Sequence, residues 1–338
     1  MKIVYKRYAN GVEWMRGETM PNIITHYLFV ESVKQEINDS ATLSAIKEYP
    51  NEYIIGSNGP DFFFFYHFFS QKHEDVRFRS YGNVLHSSHV NDFYQMAIDA
   101  MKAESDPDVK EAMRSYIAGH LCHWALDSTT HPYIFYRTGN YTGNSASMHH
   151  RFESMMDTMM LKKLLDTDIR KFHFPSLTRP GLISDRVIAN VYRPIIKAVF
   201  NDDITQQDIK DALADWEKLQ RWLYDPKGWK TRVVKQYEKL KHQPWLYSGN
   251  IVPAKLDSRY DVLNEQHRLW KYPAEPSRES TESFMDLFEK AKKLAGKVIQ
   301  AMDNVNECLL ILDDRTYDSG VKPGIAMTAF DLIYEEEA

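Results

Sequence analysis

The sequence predicts an all-α fold, a multi-helix bundle with a helical C-terminal elaboration. Apolar residues recur at three- and four-residue spacing in segment after segment, strand-like alternation is missing, and clusters of Gly, Pro, Asn and Asp separate the segments. With 43% hydrophobic, 13% aromatic and 26% charged residues over 338 positions, the chain can bury a large core under a charged surface. That composition excludes global disorder, collagen-like repeats and a coiled coil.

The elements follow in order. KIVYKRYANGVEW carries Asn10-Gly11, a type I′ turn signal between short, strongly charged flanks. An alternative start lies at Met20-Pro21, which makes residues 1–19 an N-terminal extension and Arg16-Gly17-Glu18 a translated leader. From Pro21 the pattern is helical: IITHYLFVESVKQEI puts Ile24, Leu28, Phe29 and Val33 on one stripe and breaks at Asn38-Asp39-Ser40. Similar stripes run over 61–70, 89–102, 107–126, 147–166, 185–200, 205–223, 229–241 and 280–306. Breaks fall at Gly56 to Pro60, Asp106-Pro107, Thr138 to Ser145, Phe174 to Gly181, Pro226 to Gly228 and Pro244 to Pro253. The irregular stretch 243–278 reads as a packed functional loop or a flexible one, and Glu335 to Glu337 as a solvated tail. Near residue 165 histidine thins out and Lys/Glu-rich helices take over. The expected division is therefore a helical core over 20–165 and an elaboration over 166–338 packed on it.

A net charge of −5 argues against a broad nucleic-acid-binding face, so no long nucleic acid is expected as a partner. Cys122 and Cys308 are the only cysteines, so a metal would have to be held by imidazole and carboxylate groups. Met1 to Glu18 lacks an apolar signal region and no long uncharged apolar run follows, which gives a cytoplasmic expectation without a transmembrane segment.

Histidine is unevenly spread: ten of thirteen lie between His26 and His150. In GHLCHWALDSTTHPY, His123 and Asp127 are four apart on a helix and point the same way, and His131 follows just past Ser128-Thr129-Thr130, read as a break. In MHHRFESMMDTMM, His149 and Glu153 repeat the spacing, Asp157 lies one turn further, and His150 points about 100° away. Alone, His123 with Asp127 is as readily a hydrogen-bonded pair in a buried helix as a ligand pair, and His149 with Glu153 as readily an exposed polar face on a Met-rich core helix; two such pairs joined by His131 shift the balance toward metal. His26 in THYL, Asp61 after Gly59-Pro60, and His86 and His89 in YGNVLHSSHV supply further candidates. Asp61 suits a helix cap as well as a ligand, and His26 alone suits a satisfied core histidine.

The ordered series His26, Asp61, His86, His123 with Asp127, His131, and His149 with Glu153 resembles the bacterial zinc-dependent phospholipase C family, related to the trinuclear zinc single-strand nucleases. The resemblance spans about Met20 to Leu165. It implies an all-helical fold with up to three zinc ions: one held by Asp61, His86, His123 and Asp127, a second by His131, His149 and Glu153, and a third by His26 with Asp127 bridging. It also makes Asp61 the general base of a phosphodiester hydrolysis that uses zinc-activated water. Three departures from the family pattern stand out. In the secreted phospholipases a free mature α-amino group completes the third zinc site, whereas residues 1–19 precede Met20 here; a start at Met20 would let Pro21 bring an amine near His26. The Asp127 to His131 spacing is short and the Asp61 to His86 spacing long, which leaves His89, His73 or His67 as alternatives to His86. No export signal is seen.

His120, three before His123, is expected to orient a ligand through its free ring nitrogen, and His89, His150 and Asp157 stand as further supporting or alternative ligands. The aromatic run from Phe62 reads first as buried core and second as a substrate wall containing Phe62 and Tyr66. Arg137 and Arg151 could clamp a phosphate or make surface salt bridges. The expected substrate is a small phosphodiester or phospholipid head group. The alternatives are a nucleotide or nucleic-acid phosphodiesterase of the same fold, and a non-catalytic metal-stabilised binding protein.

Overall fold

The computed structural model describes residues 23–255 and 259–333, so the turn at Asn10-Gly11, the Met20 start and the acidic tail lie outside the described residues. Helices dominate: α1 (Ile23–Val33), α2 (Ser40–Glu48), α3 (Pro50–Gly56), α4 (His73–Ser87), α5 (Val90–Ala103), α6 (Pro107–Thr138), α7 (Ser145–Leu165), α8 (Ser184–Phe200), α9 (Gln206–Leu223), α10 (Trp229–Lys241), α11 (Phe284–Gln300) and α12 (Val305–Leu312). A two-stranded antiparallel hairpin, β1 (Trp270–Tyr272) and β2 (Glu275–Ser280), is the one sheet among the described residues.

The 32-residue α6 is the axis of the fold. Asp106 caps its start, its carboxylate accepting from the Asp108 and Val109 amides, with Pro107 behind it where the missing N–H costs nothing. From Ser115 to Ser128 every side chain is buried, so the amphipathic signal vanishes because the helix is surrounded. α3 and α11 pack directly on it, α1 packs on α7, and α8 on α5. The α3–α6 crossing is backbone-tight. A Cβ on Gly119 would lie 2.1 Å from the Tyr53 carbonyl oxygen, and one on Gly56 2.3 Å from that of Tyr116.

Several boundaries differ from expectation. α6 runs straight through Ser128-Thr129-Thr130 and contains Pro132. Within the turn Thr130 Oγ1 donates to the Leu126 carbonyl, and Gly320 comes close to the Ser128 carbonyl that Pro132 leaves without its helical donor. Residues 61–70 form a short 3-10 helix, Asp61–Phe65, rather than an α-helix. α2, α3 and α4 carry no clean stripe in the sequence and arise from packing. The described part of 243–278 is packed: Ser154 Oγ donates to the Gly249 carbonyl and Thr158 Oγ1 to that of Pro253. The buried core is continuous across residue 165, from Ile23 to Tyr317. No described helix is long and apolar enough to cross a membrane.

Candidate metal centre

Because α6 does not break, His123, Asp127 and His131 stack on one face at successive turns. α7 presents His149 and Glu153 beside them, α1 supplies His26, the 3-10 helix supplies Asp61, and the last turn of α4 supplies His86. All eight side chains are buried. They gather into three groups that could hold a metal ion: Asp61 with His86 and His123; His26 with His123 and Asp127; and His131 with His149 and Glu153.

Asp127 sits at the middle. Its Oδ2 lies 3.1 Å from His123 Nε2, and its Oδ1 is 3.4 Å from His26 Nε2 and 3.8 Å from His131 Nε2. Asp61 Oδ1 is 3.0 Å from His86 Nε2, and Glu153 Oε1 is 3.3 Å from His149 Nε2 and 3.5 Å from His131 Nε2. Despite these approaches, Asp61 Oδ1, both Asp127 oxygens, both Glu153 oxygens and His131 Nε2 form no hydrogen bond. Buried polar atoms are costly to leave unpaired, and five carboxylate oxygens and one imidazole nitrogen converge here.

Four histidines are anchored from behind. Nδ1–H of His86 donates to the Gly82 carbonyl at 2.8 Å, His123 to Ser57 at 3.1 Å and His131 to Tyr317 at 3.2 Å. His149 Nδ1 lies 3.2 Å from Thr138 Oγ1, whose own proton goes to the Ile134 carbonyl. In each ring Nε2 is thereby left as the inward nitrogen, the arrangement that fixes tautomer and orientation in metal-ligating histidines.

Proton affinities within the group conflict. Burial pushes the Asp127 carboxyl up to about 8, holds His26 down to about 3 and drives His123 well below its ordinary value. Burial opposes charge on His86 and His131 as well, but Asp61 lifts His86 to about 9, and Asp127 with Glu153 lifts His131 to about 10. Burial also opposes ionisation of Glu153, yet His149 and His131 hold its carboxyl below the usual range. Divalent cations take neutral imidazoles and ionised carboxylates together and remove the conflict. The orphaned oxygens, the inward Nε2 atoms and the nitrogen–oxygen donor set all fit zinc.

The remaining sequence candidates separate. His89 caps α5 and pairs with Asp92, side chain 39% exposed; His67 pairs with Asp75 and His73 is exposed, so His86 alone of these reaches the cluster. His120 is not a ligand-orienting group: its Nδ1 meets Tyr94 OH and its Nε2 meets Tyr192 OH, each at 2.8 Å, which uses both nitrogens. His150 is held by Tyr141 and stands outside the three groups. Asp157 is no ligand either. It accepts from the Ile24 and Thr25 amides and from Thr25 Oγ1, pinning the first turn of α1 and so positioning His26.

A cavity of about 330 Å³ opens onto His86, His131 and His149. The substrate-wall expectation for Phe62 and Tyr66 is corrected: both are buried in the core, Tyr66 donating to Asp208, because the tight 3-10 turn leaves Phe64 as the ring at the cavity. Arg137 pairs with Asp331, and neither it nor the buried Arg151 lines the cavity. Sequence reading missed Tyr141, Asp318 and Met327 in the cavity wall, and Tyr317, which anchors His131 and whose ring lies 5.3 Å from that of His123. Nothing local marks them: Tyr141 lies in the loop between α6 and α7, and 317–327 is an irregular segment far along the chain.

Fold and site together define an all-helical metalloprotein with histidine–carboxylate clusters for up to three ions. Residues 25–223, more than half of the chain, match the family described as zinc-dependent phospholipase C, and the protein belongs to that family. It is thus a zinc-site protein of a family of hydrolases acting on phosphodiester bonds. No curated protein and no solved structure matches the chain significantly.

Proposed function

We propose that the protein hydrolyses a small phosphodiester or phospholipid head group. Zinc in the centre would be held by Asp61, His86, His123 and Asp127, by His131, His149 and Glu153, and by His26 with Asp127 shared. The observation that carries this reading is a coincidence: of the residues in family order, Asp61, Asp127 and Glu153 have buried oxygens with no hydrogen-bond partner, and His86, His123, His131 and His149 are anchored from behind through Nδ1. Zinc bound there supplies Lewis acidity toward water and toward a phosphoryl oxygen.

The chain's own groups do the rest. Asp61 takes the proton of the attacking water through its carboxylate, which burial makes more basic than usual. His86, kept rigid by Gly82, has its Nε2 3.0 Å from that carboxylate, so the two would share one ion. Phe64 and Phe135 give the cavity apolar sides that exclude bulk water, while Asn83, Asn140 and Tyr141 offer polar contacts to a head group. The open cavity beside His86, His131 and His149 favours catalysis over a closed structural metal site. Asp318 in its wall and the net charge of −5 disfavour a polyanionic strand as substrate. Two free, buried cysteines accord with the proposed cytoplasmic setting.

The test is hydrolysis of bis-p-nitrophenyl phosphate, phosphatidylcholine and single-stranded DNA by protein purified without chelator, alongside a metal count. Cleavage of the first two with zinc present is expected. Protein that holds no metal and cleaves none of the three refutes the reading.

A further inference from the structure

α10 is a helix turned inside out. Of its thirteen residues only Glu238 is buried, while Trp229, Val233, Tyr237 and Leu240 are 57%, 62%, 48% and 79% exposed. At 100° per residue these four fall within about 80° of one another, on the side away from Glu238. Lys230 and Lys241 flank the stripe on one edge and Arg232 and Lys239 on the other. Trp222, 53% exposed, adjoins it at the end of α9, where Lys230 Nζ donates to the Trp222 carbonyl. Large side chains at this spacing normally face a core; here they face outward between two rows of cations.

We infer that α10 is a membrane-surface helix that seats on anionic phospholipid bilayers, its Trp229, Val233, Tyr237 and Leu240 entering the headgroup region and its Arg232, Lys239 and Lys241 meeting lipid phosphates. The chemistry favours a lipid surface over a protein partner. A convex single helix offers no groove, Trp and Tyr suit the boundary between water and acyl chains, and an apolar stripe edged with Lys and Arg on both sides is the pattern of interfacial helices. Attachment to the body is firm. The Glu238 carboxylate accepts from the Tyr247 and Ser248 amides and from Ser248 Oγ, and Gly249 packs against α7 beside Ser147 and Ser154, which bracket His149 and Glu153. A docked α10 therefore holds the helix bearing two candidate ligands at a fixed relation to the bilayer.

The inference stands apart from catalysis and is tested by binding. The full-length, metal-loaded protein is co-sedimented with vesicles of phosphatidylcholine alone and with about one-third phosphatidylserine, at low and high salt. Expected are binding at least about tenfold tighter to the anionic vesicles and marked weakening by salt, since each cation near such a surface contributes roughly fivefold. Arg232→Gln with Lys239→Gln should weaken binding about tenfold or more. Val233→Glu with Leu240→Glu, both solvent-exposed positions, should abolish it while cleavage of soluble bis-p-nitrophenyl phosphate and the melting temperature stay unchanged. The inference is overturned if native protein ignores anionic vesicles, if the Glu variants bind like native, or if the stripe instead drives self-association that those variants abolish.

Discussion

Replacing Gly119 by Ala tests the link between helix packing and the metal centre. The added Cβ would stand 2.1 Å from the Tyr53 carbonyl oxygen and 3.1 Å from the Ser57 amide nitrogen, both backbone atoms that cannot rotate away. Ordinary contact begins near 3.4 Å, so α3 must withdraw from α6 by about 1 Å. The Ser57 carbonyl rides on the end of α3 and accepts from His123 Nδ1 at 3.1 Å, so the same shift takes that bond to about 4 Å, beyond hydrogen-bonding range. His123 then loses the anchor that keeps Nε2 inward. The overpacking should cost about 1–3 kcal/mol of stability, and loss of the anchoring bond should weaken zinc binding about 10–100-fold. Thermal melting of the metal-free protein and zinc competition with a fluorescent chelator read the two effects separately. A destabilised variant that binds zinc as tightly as native protein would refute the idea that α3 orients His123.

The other predictions concern the site itself. Asp127→Asn should lose two metal equivalents together, because Asp127 lies against His26, His123 and His131, whereas His149→Ala should empty one site and spare the others; elemental analysis of both variants decides. Asp318→Asn should lower KM for an anionic diester roughly two- to fivefold, the weight of one partly screened charge, with kcat little changed in steady-state assays. Burial holds His120 neutral down to about 3, while in the unfolded chain it protonates near 6.5, so the unfolded state binds the extra proton between those values. Stability should therefore fall on acidification by about 1.4 kcal/mol per pH unit from this residue, and His120→Asn should remove that part of the slope in denaturant titrations at pH 4–6.

The sequence made the ligand series readable because each i/i+4 pair is a local statement about one helix face: His123 with Asp127, and His149 with Glu153, needed no tertiary information. Element type was readable for the same reason, and α8, α9 and α10 fall within a residue of their stripes. What the sequence hid was non-local. Ser128-Thr129-Thr130 and Pro132 look like a helix end, but the segment around Gly320 packs closely over the Ser128 carbonyl and the helix continues. Phe62 and Phe64 differ only in which way a 3-10 turn points them. His120 carries the same spacing signal as a supporting ligand, yet two tyrosines from α5 and α8 claim both nitrogens.

The anchoring of His131 by Tyr317 spans 186 residues. A ribosome-bound chain can form α6 and α7 early, so His123, Asp127, His149 and Glu153 meet while synthesis continues, but His131 has no fixed tautomer until residue 317 has emerged. Metal captured before then meets a site with one loose ligand and an open wall where Asp318 and Met327 belong. Completion of the centre thus waits on Tyr317, 186 residues beyond the ligand that it anchors.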